Sequence, residues 1–202
     1  MGSGEIGFVF ETLIERTLTH LIAPLRAKGY TVNLLSEQGI RDTFNEQSLN
    51  GVDHLLELVD TSGNYTLFLL QEKWKLMTNQ REVSQFLDCC SRIISRIPLD
   101  KRGKIYRLWV TRSQPSLNGE KSLDEGGAYI VQSMTSQALL AQITGQIICE
   151  LIGDKALANP MIASMSSLLP VEEPVAPVVL DESKTAPLQT SSYKMHVRVT
   201  KN

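Results

Sequence analysis

The chain has 202 residues, of which 42% are hydrophobic and 21% charged, with a formal net charge of −2 and a pI near 5.9. These totals are typical of a globular protein with one domain and a sizeable core. They argue against a protein that grips duplex DNA through many phosphates, because such proteins usually carry a basic surplus.

The charges are unevenly distributed along the chain. Residues 1–70 contain nine acidic and four basic residues, a net charge of −5, whereas residues 71–112 contain ten basic and four acidic residues, a net charge of +6. Half of the twenty lysines and arginines therefore fall in the second segment. A local basic face would suit an anionic partner, although a solvated helix with its flanking loops would give the same count.

The cysteines are Cys89, Cys90 and Cys149, an odd number without zinc-like spacing, which is typical of a reducing compartment. The first residues lack a basic segment followed by an apolar run, so no secretory signal is visible. No apolar run is long enough to span a bilayer. The sequence therefore predicts a cytoplasmic protein without a membrane partner, associated with the nucleoid if it binds DNA.

Apolar residues recur at helical spacing over residues 5–28, which predicts a long amphipathic helix. Pro24 is expected to kink or end its last turn, and Gly29 is a suitable stop. A strand over residues 30–36 and a polar loop over residues 37–50 are predicted to follow.

Two strands are predicted over residues 52–59 and 65–74, joined by a turn over residues 60–64. The second strand contains four consecutive apolar residues, 67–70, which indicates burial on both faces. This strand is therefore expected to lie at the centre of a sheet.

The remaining predicted elements alternate between helices and strands. They are a helix over 79–97 ended by Pro98, a strand over 105–111, a polar loop over 113–127, a short strand over 129–131, and a helix over 135–152 capped by Thr135 and stopped by Gly153. The core order is thus α-β-β-β-α-β, followed by a short strand and a helix. This order predicts an α/β fold with a mixed sheet flanked by helices.

The C-terminal part has a different composition. Five of the eight prolines lie within residues 159–190, which predicts a flexible linker after a domain over residues 1–158. Residues 191–202 contain basic residues and no acid. Three interpretations of this tail stay open: a basic arm that touches DNA, a strand that docks on a partner, and an idle tail.

The residues with the clearest chemistry belong to the predicted hairpin. Asp53 supplies a carboxylate, Gln71 an amide oxygen and Glu72 a backbone carbonyl, and these are oxygen ligands of the kind that Mg²⁺ prefers. Side chains one residue apart on a strand share a face, so Gln71 and Lys73 point the same way. Such a set can hold a divalent cation and a water beside a phosphodiester, with Lys73 to orient the water or to neutralise the phosphate.

The sequence around these residues resembles a known superfamily. Gly51-Val52-Asp53 and Gln71-Glu72-Lys73-Trp74 are similar to the PD-(D/E)XK nucleases, in particular to the Mrr-type restriction endonucleases with glutamine before X-Lys. Residues 7–11 also resemble the first helix of Mrr-like enzymes and of archaeal Holliday-junction resolvases, where a glutamate, here Glu11, points at the metal site. The resemblance covers about residues 5–112.

The resemblance implies a restriction-endonuclease-like core (αβββαβ) and a nuclease that depends on Mg²⁺ or Mn²⁺. The ligands would be Asp53, Gln71, the backbone carbonyl of Glu72 and, through a water, Glu11, with Lys73 as the catalytic lysine. The substrate would be DNA, in restriction, repair or recombination. Glutamine in place of an acid makes the site one charge less negative.

Each candidate residue also has a structural interpretation. Asp53 could cap a loop, Gln71 and Lys73 could be exposed edge groups, and Glu11 could be a surface residue. Gln85, on the next helix, could contact the phosphate or belong to a solvated helix face. His54 is interpreted as a packing or hydrogen-bonding residue, and the two tryptophans, Trp74 and Trp109, as core residues.

Three hypotheses follow for the function. The first is a Mg²⁺-dependent DNA endonuclease, for which homodimerisation would supply two active sites for two strands. The second is a catalytically inactive member of the same fold that binds DNA or a protein partner as a subunit of a larger complex. The third is an unrelated α/β scaffold. Residues 113–170 are the expected dimer surface or reader of substrate shape.

Overall fold

The computed structural model describes residues 3–134, 136–154 and 157, and the side chains from residue 7 onward. The predicted linker over 159–190 and the predicted basic tail over 191–202 lie outside the described residues, as does the proposed N-cap Thr135.

Five strands and five α-helices make up the described part of the chain. The strands are β1 (Thr31–Ser36), β2 (His54–Val59), β3 (Tyr65–Lys73), β4 (Lys104–Thr111) and β5 (Ala128–Gln132). The helices are α1 (Ser3–Ala27), α2 (Glu37–Phe44), α3 (Gln80–Arg96), α4 (Leu117–Glu125) and α5 (Gln137–Ile152), and a short 3₁₀ turn covers Leu99–Lys101.

The strands form one mixed sheet in the order β1-β2-β3-β4-β5. β1, β2 and β3 are antiparallel neighbours, whereas β4 and β5 run parallel to β3. The predicted α/β class, the order α-β-β-β-α-β and the central position of β3 are confirmed, with α2 as an additional short helix between β1 and β2.

Alternation along the strands divides the core between the two faces of the sheet. Phe68 and Leu70 pack with α1 and α5 on one face, whereas Leu67 and Leu69 pack with α3 on the other. All four side chains are buried, which explains why β3 is continuously apolar. The two cores together fix β3 between two helical layers.

The predictions of loops over 37–50 and 113–127 were wrong in part, because α2 and α4 lie within them. Serine caps both helices: Ser36 Oγ accepts from the Gly39 amide at 3.4 Å and Ser116 Oγ from the Gly119 amide at 3.2 Å. The two helices are short and bury few apolar side chains, so apolar periodicity could not reveal them.

Two smaller predictions were also wrong. Asp53 was placed on a strand, but β2 begins at His54. The N-cap of α5 is Ser136, whose side chain accepts from the Leu139 amide. Pro24 lies in the last turn of α1, which ends at Ala27 just before the predicted stop at Gly29.

The parallel strands β3, β4 and β5 end side by side, at Lys73, Thr111 and Gln132. We call this side of the sheet the carboxyl edge; β2 begins at the same edge, with His54 opposite Leu70. None of the described helices has the length and apolar character that a membrane span requires.

Candidate active site

Asp53 lies at the carboxyl edge and is the last residue before β2. Its backbone amide donates to the Leu70 carbonyl at 2.8 Å, so the β2–β3 hydrogen-bond ladder continues through it. Its Oδ2 accepts from the Glu72 amide at 2.7 Å and from the Gln71 side-chain amide. The carboxylate is therefore held directly against the C-terminal part of β3.

Gly51 explains how the chain reaches this position. Its φ of +112° is in the region that favours glycine, and an added Cβ would come within 3.1 Å of the Gln85 backbone carbonyl. A side chain at residue 51 would push the loop away from α3. The small residue two positions before Asp53 thus lets the loop approach α3 and turn into β2.

Lys73 is the last residue of β3 and lies beside Asp53. Its Nζ is 4.0 Å from Asp53 Oδ2, and both side chains are partly accessible to solvent. The Arg112 amide donates to the Lys73 carbonyl at 3.2 Å, which holds the end of the strand. The structure therefore brings Asp53, Gln71 and Lys73 together, as the sequence pattern predicted.

Glu11 approaches the same group from α1. Its side chain is half-buried, and burial raises its pKa, with the Asp53 carboxylate as the next cause and with Lys73 and His54 acting in the opposite direction. Within the described residues Glu11 forms no hydrogen bond to the other three predicted site residues. It contributes to the site through the electric field.

Asp53 is in an unfavourable place for a negative charge. The pKa of Asp53 is raised from 3.8 to about 7, first by burial and then by the Glu72 carboxylate, against the opposing effects of Lys73 and the Glu72 amide. A cation close to Asp53 would therefore be attracted more strongly than a cation beside a carboxylate at the open surface. This is the electrostatic situation expected of a functional carboxyl group.

The side chain of Glu72 was not predicted to take part. It is fully buried, and its two oxygens lie 3.1 and 3.2 Å from Nδ1 of His54, which is also buried. Burial acts to lower the pKa of His54, but Glu72 and then Asp53 outweigh it, so that the pKa is raised. His54 is thus a hydrogen-bonding residue, as predicted.

The sequence did contain a signal for this pair. His54 and Glu72 are polar residues at alternate positions of strands that are otherwise apolar on that face, where a polar side chain requires a partner. The pair lies under the site, because the same Glu72 residue donates its backbone amide to Asp53.

The remaining predicted residues lie apart from this group or in the core. Gln85 is exposed on α3, and its side chain forms no hydrogen bond among the described residues. Trp109 is fully buried, and Trp74 is partly buried between the Phe10 ring, at 5.1 Å, and the Arg112 guanidinium, at 5.3 Å. The three cysteines, Cys89, Cys90 and Cys149, are buried free thiols in helices.

The groups around Asp53 can be tested against the chemistry of a divalent cation. The described residues contain no cluster of three or more His, Cys, Asp or Glu side chains in an arrangement for a metal. A metal would therefore depend on the Asp53 carboxylate together with neutral oxygens from Gln71 and the Glu72 backbone. An all-oxygen set of this kind fits Mg²⁺ or Mn²⁺, which binds through few carboxylates and retains waters, better than it fits zinc.

Neither a protein-family model nor a curated protein matches the chain. Among solved structures, the fold is similar to the restriction endonuclease MspJI in complex with a 27-mer oligonucleotide, with a TM-score of 0.38 and 16% sequence identity. The match covers 79% of this chain and 31% of that protein, so the chain spans less than a third of its length. At this TM-score the similarity supports no statement about the site.

Proposed function

We propose that the protein is a metal-dependent DNA endonuclease of the Mrr-like type that hydrolyses phosphodiester bonds in restriction, repair or recombination. The observation that carries the proposal is the contact of Asp53 with Gln71 and Lys73 at the carboxyl edge. Its position within an α-β-β-β-α-β fold, with Glu11 approaching from α1, adds support.

The Asp53 carboxylate, the Gln71 amide oxygen and the Glu72 carbonyl would hold Mg²⁺ or Mn²⁺, with Glu11 acting through a water. When bound, such an ion polarises the phosphoryl oxygens and lowers the pKa of a coordinated water. In the structure the Gln71 NH₂ group donates to Asp53, which leaves the amide oxygen as the group that can serve a ligand.

Lys73 is the residue proposed to act directly on the substrate. Its ammonium lies near Asp53 but is partly exposed, so it can reach a phosphate oxygen or a water at the edge of the sheet. There it would neutralise the charge that develops on the phosphoryl group, or orient the attacking water. Removal of its charge should therefore affect the chemical step more than DNA binding.

The test is a nicking assay on plasmid and branched DNA with Mg²⁺ or Mn²⁺. Lys73→Ala and Asp53→Ala should each abolish cleavage. Lys104→Ala is a matched control, since Lys104 is an exposed lysine at the opposite end of the parallel strands and should be dispensable. Cleavage that survives in Lys73→Ala would refute the assignment of the site.

Cleavage of both strands of a duplex requires two active sites, so the proposal includes a homodimer on DNA or assembly into a larger complex. Sedimentation of the protein with a short duplex checks this. A strict monomer that nonetheless makes double-strand breaks would contradict it.

One observation favours a second candidate, a DNA-binding protein of the same fold without catalysis. Asp53 Oδ2 already contacts the Gln71 side-chain amide and the Glu72 amide, and the Lys73 ammonium lies 4.0 Å away. These groups stand where a metal ion bound to Asp53 would lie. This candidate predicts DNA binding that is equal in EDTA and in Mg²⁺, and no cleavage with either metal. The nuclease predicts cleavage that EDTA stops.

A further inference from the structure

The carboxyl edge carries an unusual number of exposed apolar side chains. Among the described residues, six large apolar side chains are between 70% and 84% exposed, and only Leu99 of these lies at the opposite edge. The other five form what we call the apolar rim: Phe8, Leu76, Met77, Leu117 and Met134. Single exposed apolar residues need no explanation, but a group at one edge marks an interaction surface.

Backbone hydrogen bonds hold the segments that carry Leu76, Met77, Leu117 and Met134 at the carboxyl edge. Leu76 and Met77 lie between β3 and α3, and the adjacent Thr78 carbonyl accepts from the Ser116 amide at 3.3 Å, next to Leu117. The Ser133 amide donates to the Thr111 carbonyl, which fixes the chain before Met134.

Helix α1 reaches the same edge. The Phe10 ring lies against Trp74, the residue after the strand end at Lys73, and Phe8 precedes it by two positions. The start of helix α1 therefore lies near the end of β3, where the proposed catalytic lysine is located.

Basic residues stand among these apolar groups. Arg81 is exposed in the first turn of α3 and has no ion-pair partner among the described residues, and the Arg112 guanidinium lies over Trp74. The nearby acid Glu82 is already paired with Lys75. Arg81 thus places a cation without an ion-pair partner beside the apolar side chains, whereas the carboxylates of Asp53 and Glu11 lie at the site itself.

The charge selects among occupants of this surface. A second copy docked by a two-fold axis would place two Arg81 side chains in one interface, and Glu82, already paired with Lys75, offers them no free counter-ion. A nucleic acid supplies phosphates for the cations, but a stacked duplex hides the faces of its bases. Apolar side chains gain contact with bases only where stacking is interrupted, as when Phe, Leu or Met inserts between base steps.

We propose that Leu76 and Met77, supported by Leu117, form a wedge that enters between unstacked bases, so that the substrate is DNA with mismatched or unpaired nucleotides beside the cleaved bond. Arg81 contacts the flanking phosphates. This inference rests on the proposed function, because it names the substrate class of the same site.

The experiment measures binding without divalent metal, so that no cleavage occurs. Two labelled duplexes of equal length are compared by fluorescence anisotropy, one fully paired and one with a central mismatched bubble that contains 2-aminopurine. Wild type should bind the bubble more tightly and change the 2-aminopurine fluorescence. Leu76→Ser/Met77→Ser should lose about tenfold in affinity for the bubble and little for the paired duplex.

Leu99→Ser is the matched control, because Leu99 is similarly exposed at the opposite edge, and it should behave as wild type. Thermal melting establishes that both variants are folded, as expected for surface substitutions. Equal binding of the two duplexes by wild type, or an equal loss in both variants, would overturn the wedge. The wedge would also be overturned if the double variant no longer self-associated in sedimentation but still preferred the bubble, because the two residues would then form a contact between copies.

The two proposals fail in different ways. If wild type prefers the bubble but cuts no DNA with Mg²⁺ or Mn²⁺, the wedge stands and the nuclease assignment falls. If it cuts paired and bubble DNA equally and binds them equally, the nuclease stands and the wedge falls. Absence of binding to both duplexes would overturn the wedge.

Discussion

Strand β2 has an aspartate at each end, and their surroundings are opposite. Asp60 follows the strand, and its carboxylate accepts from the Ser62 and Asn64 amides at 2.8 Å each and from the Asn64 side chain. These hydrogen bonds, those of Asn64 first, lower its pKa. Asp53 precedes the strand, and burial raises its pKa to about 7.

The comparison separates a structural carboxylate from a candidate functional one. The charge of Asp60 is satisfied by its own turn and helps to close the hairpin. The charge of Asp53 is disfavoured by burial and by Glu72, although the fold still delivers Lys73 and two hydrogen-bond donors to it. An arrangement that costs stability without closing a turn is expected where a ligand or substrate completes it.

The largest expected effect concerns activity. Asp53→Ala should lower cleavage by about 10³-fold or more, because it removes the one carboxylate in contact with both Gln71 and Lys73. Asp60→Ala should cut DNA at the wild-type rate. Rates are compared in single-turnover nicking at saturating Mg²⁺, and an equal loss in both variants would remove the distinction between the two aspartates.

The next effect concerns the buried pair of His54 and Glu72, of which Glu72 raises the pKa of Asp53. His54→Ala leaves the Glu72 carboxylate buried without its partner, which should lower the free energy of unfolding by about 3–5 kcal/mol. Urea denaturation measures the loss. The double variant His54→Leu/Glu72→Leu should recover part of it, since the Glu72 charge is then removed together with its partner. No recovery would show that the pair matters through other contacts.

The stability gained on metal binding should depend on Asp53, at the start of β2, and not on Asp60, at its end. Mg²⁺ at about a hundred times its dissociation constant should stabilise the folded protein by about 2.7 kcal/mol. The rise in melting temperature should be larger at pH 8 than at pH 5, because protonated Asp53 competes with the ion. Asp53→Asn should lose this rise and Asp60→Asn should keep it.

The pH dependence of stability provides a further contrast. The pKa of Asp53 is above its ordinary 3.8 in the folded state, so folding is favoured by protonation and stability falls as pH rises from about 4 to about 7. The slope is at most about 1.4 kcal/mol per pH unit. Asp53→Asn removes this contribution, so its stability relative to wild type should increase across the same window.

His54 and Glu11 act in the same direction as Asp53. The raised pKa of His54 stabilises the folded state below its ordinary 6.5, and this contribution is lost as pH rises through the folded value. Both residues remain in the Asp53→Asn variant, so their effects largely cancel in the comparison with wild type. Parallel stability curves for the two proteins over pH 4–7 would contradict the burial of the Asp53 charge.

The sequence predicted the framework of the site well. The apolar run of β3, the turn before it and the helices α1 and α3 each followed from a strong local pattern, and they determine where Asp53, Gln71 and Lys73 meet. The roles of these residues remain predictions.

The missed features depend on contacts across the sheet or on short helices. Two short helices, α2 and α4, are held by a serine cap and a few buried residues and have no long periodic pattern. The Glu72–His54 pair joins residues on different strands, and the apolar rim gathers residues from four separate segments. Spacing along one segment cannot show such groupings, because they arise only when the strands are in register.

The smallest expected effect tests the structural aspartate. Asp60→Ala removes hydrogen bonds that close a turn at the surface, so it should lower the melting temperature slightly at neutral pH. The pKa of Asp60 is depressed, so its contribution is present above its ordinary 3.8 and is lost as pH falls through the folded value. The loss of stability in Asp60→Ala should therefore become smaller in acid. Asp53→Asn should instead be more stable than wild type at neutral pH, and this gain should become smaller in acid. If instead the two variants shift the melting temperature in the same direction at pH 8, the two ends of β2 do not differ in the way that their hydrogen bonds and burial indicate.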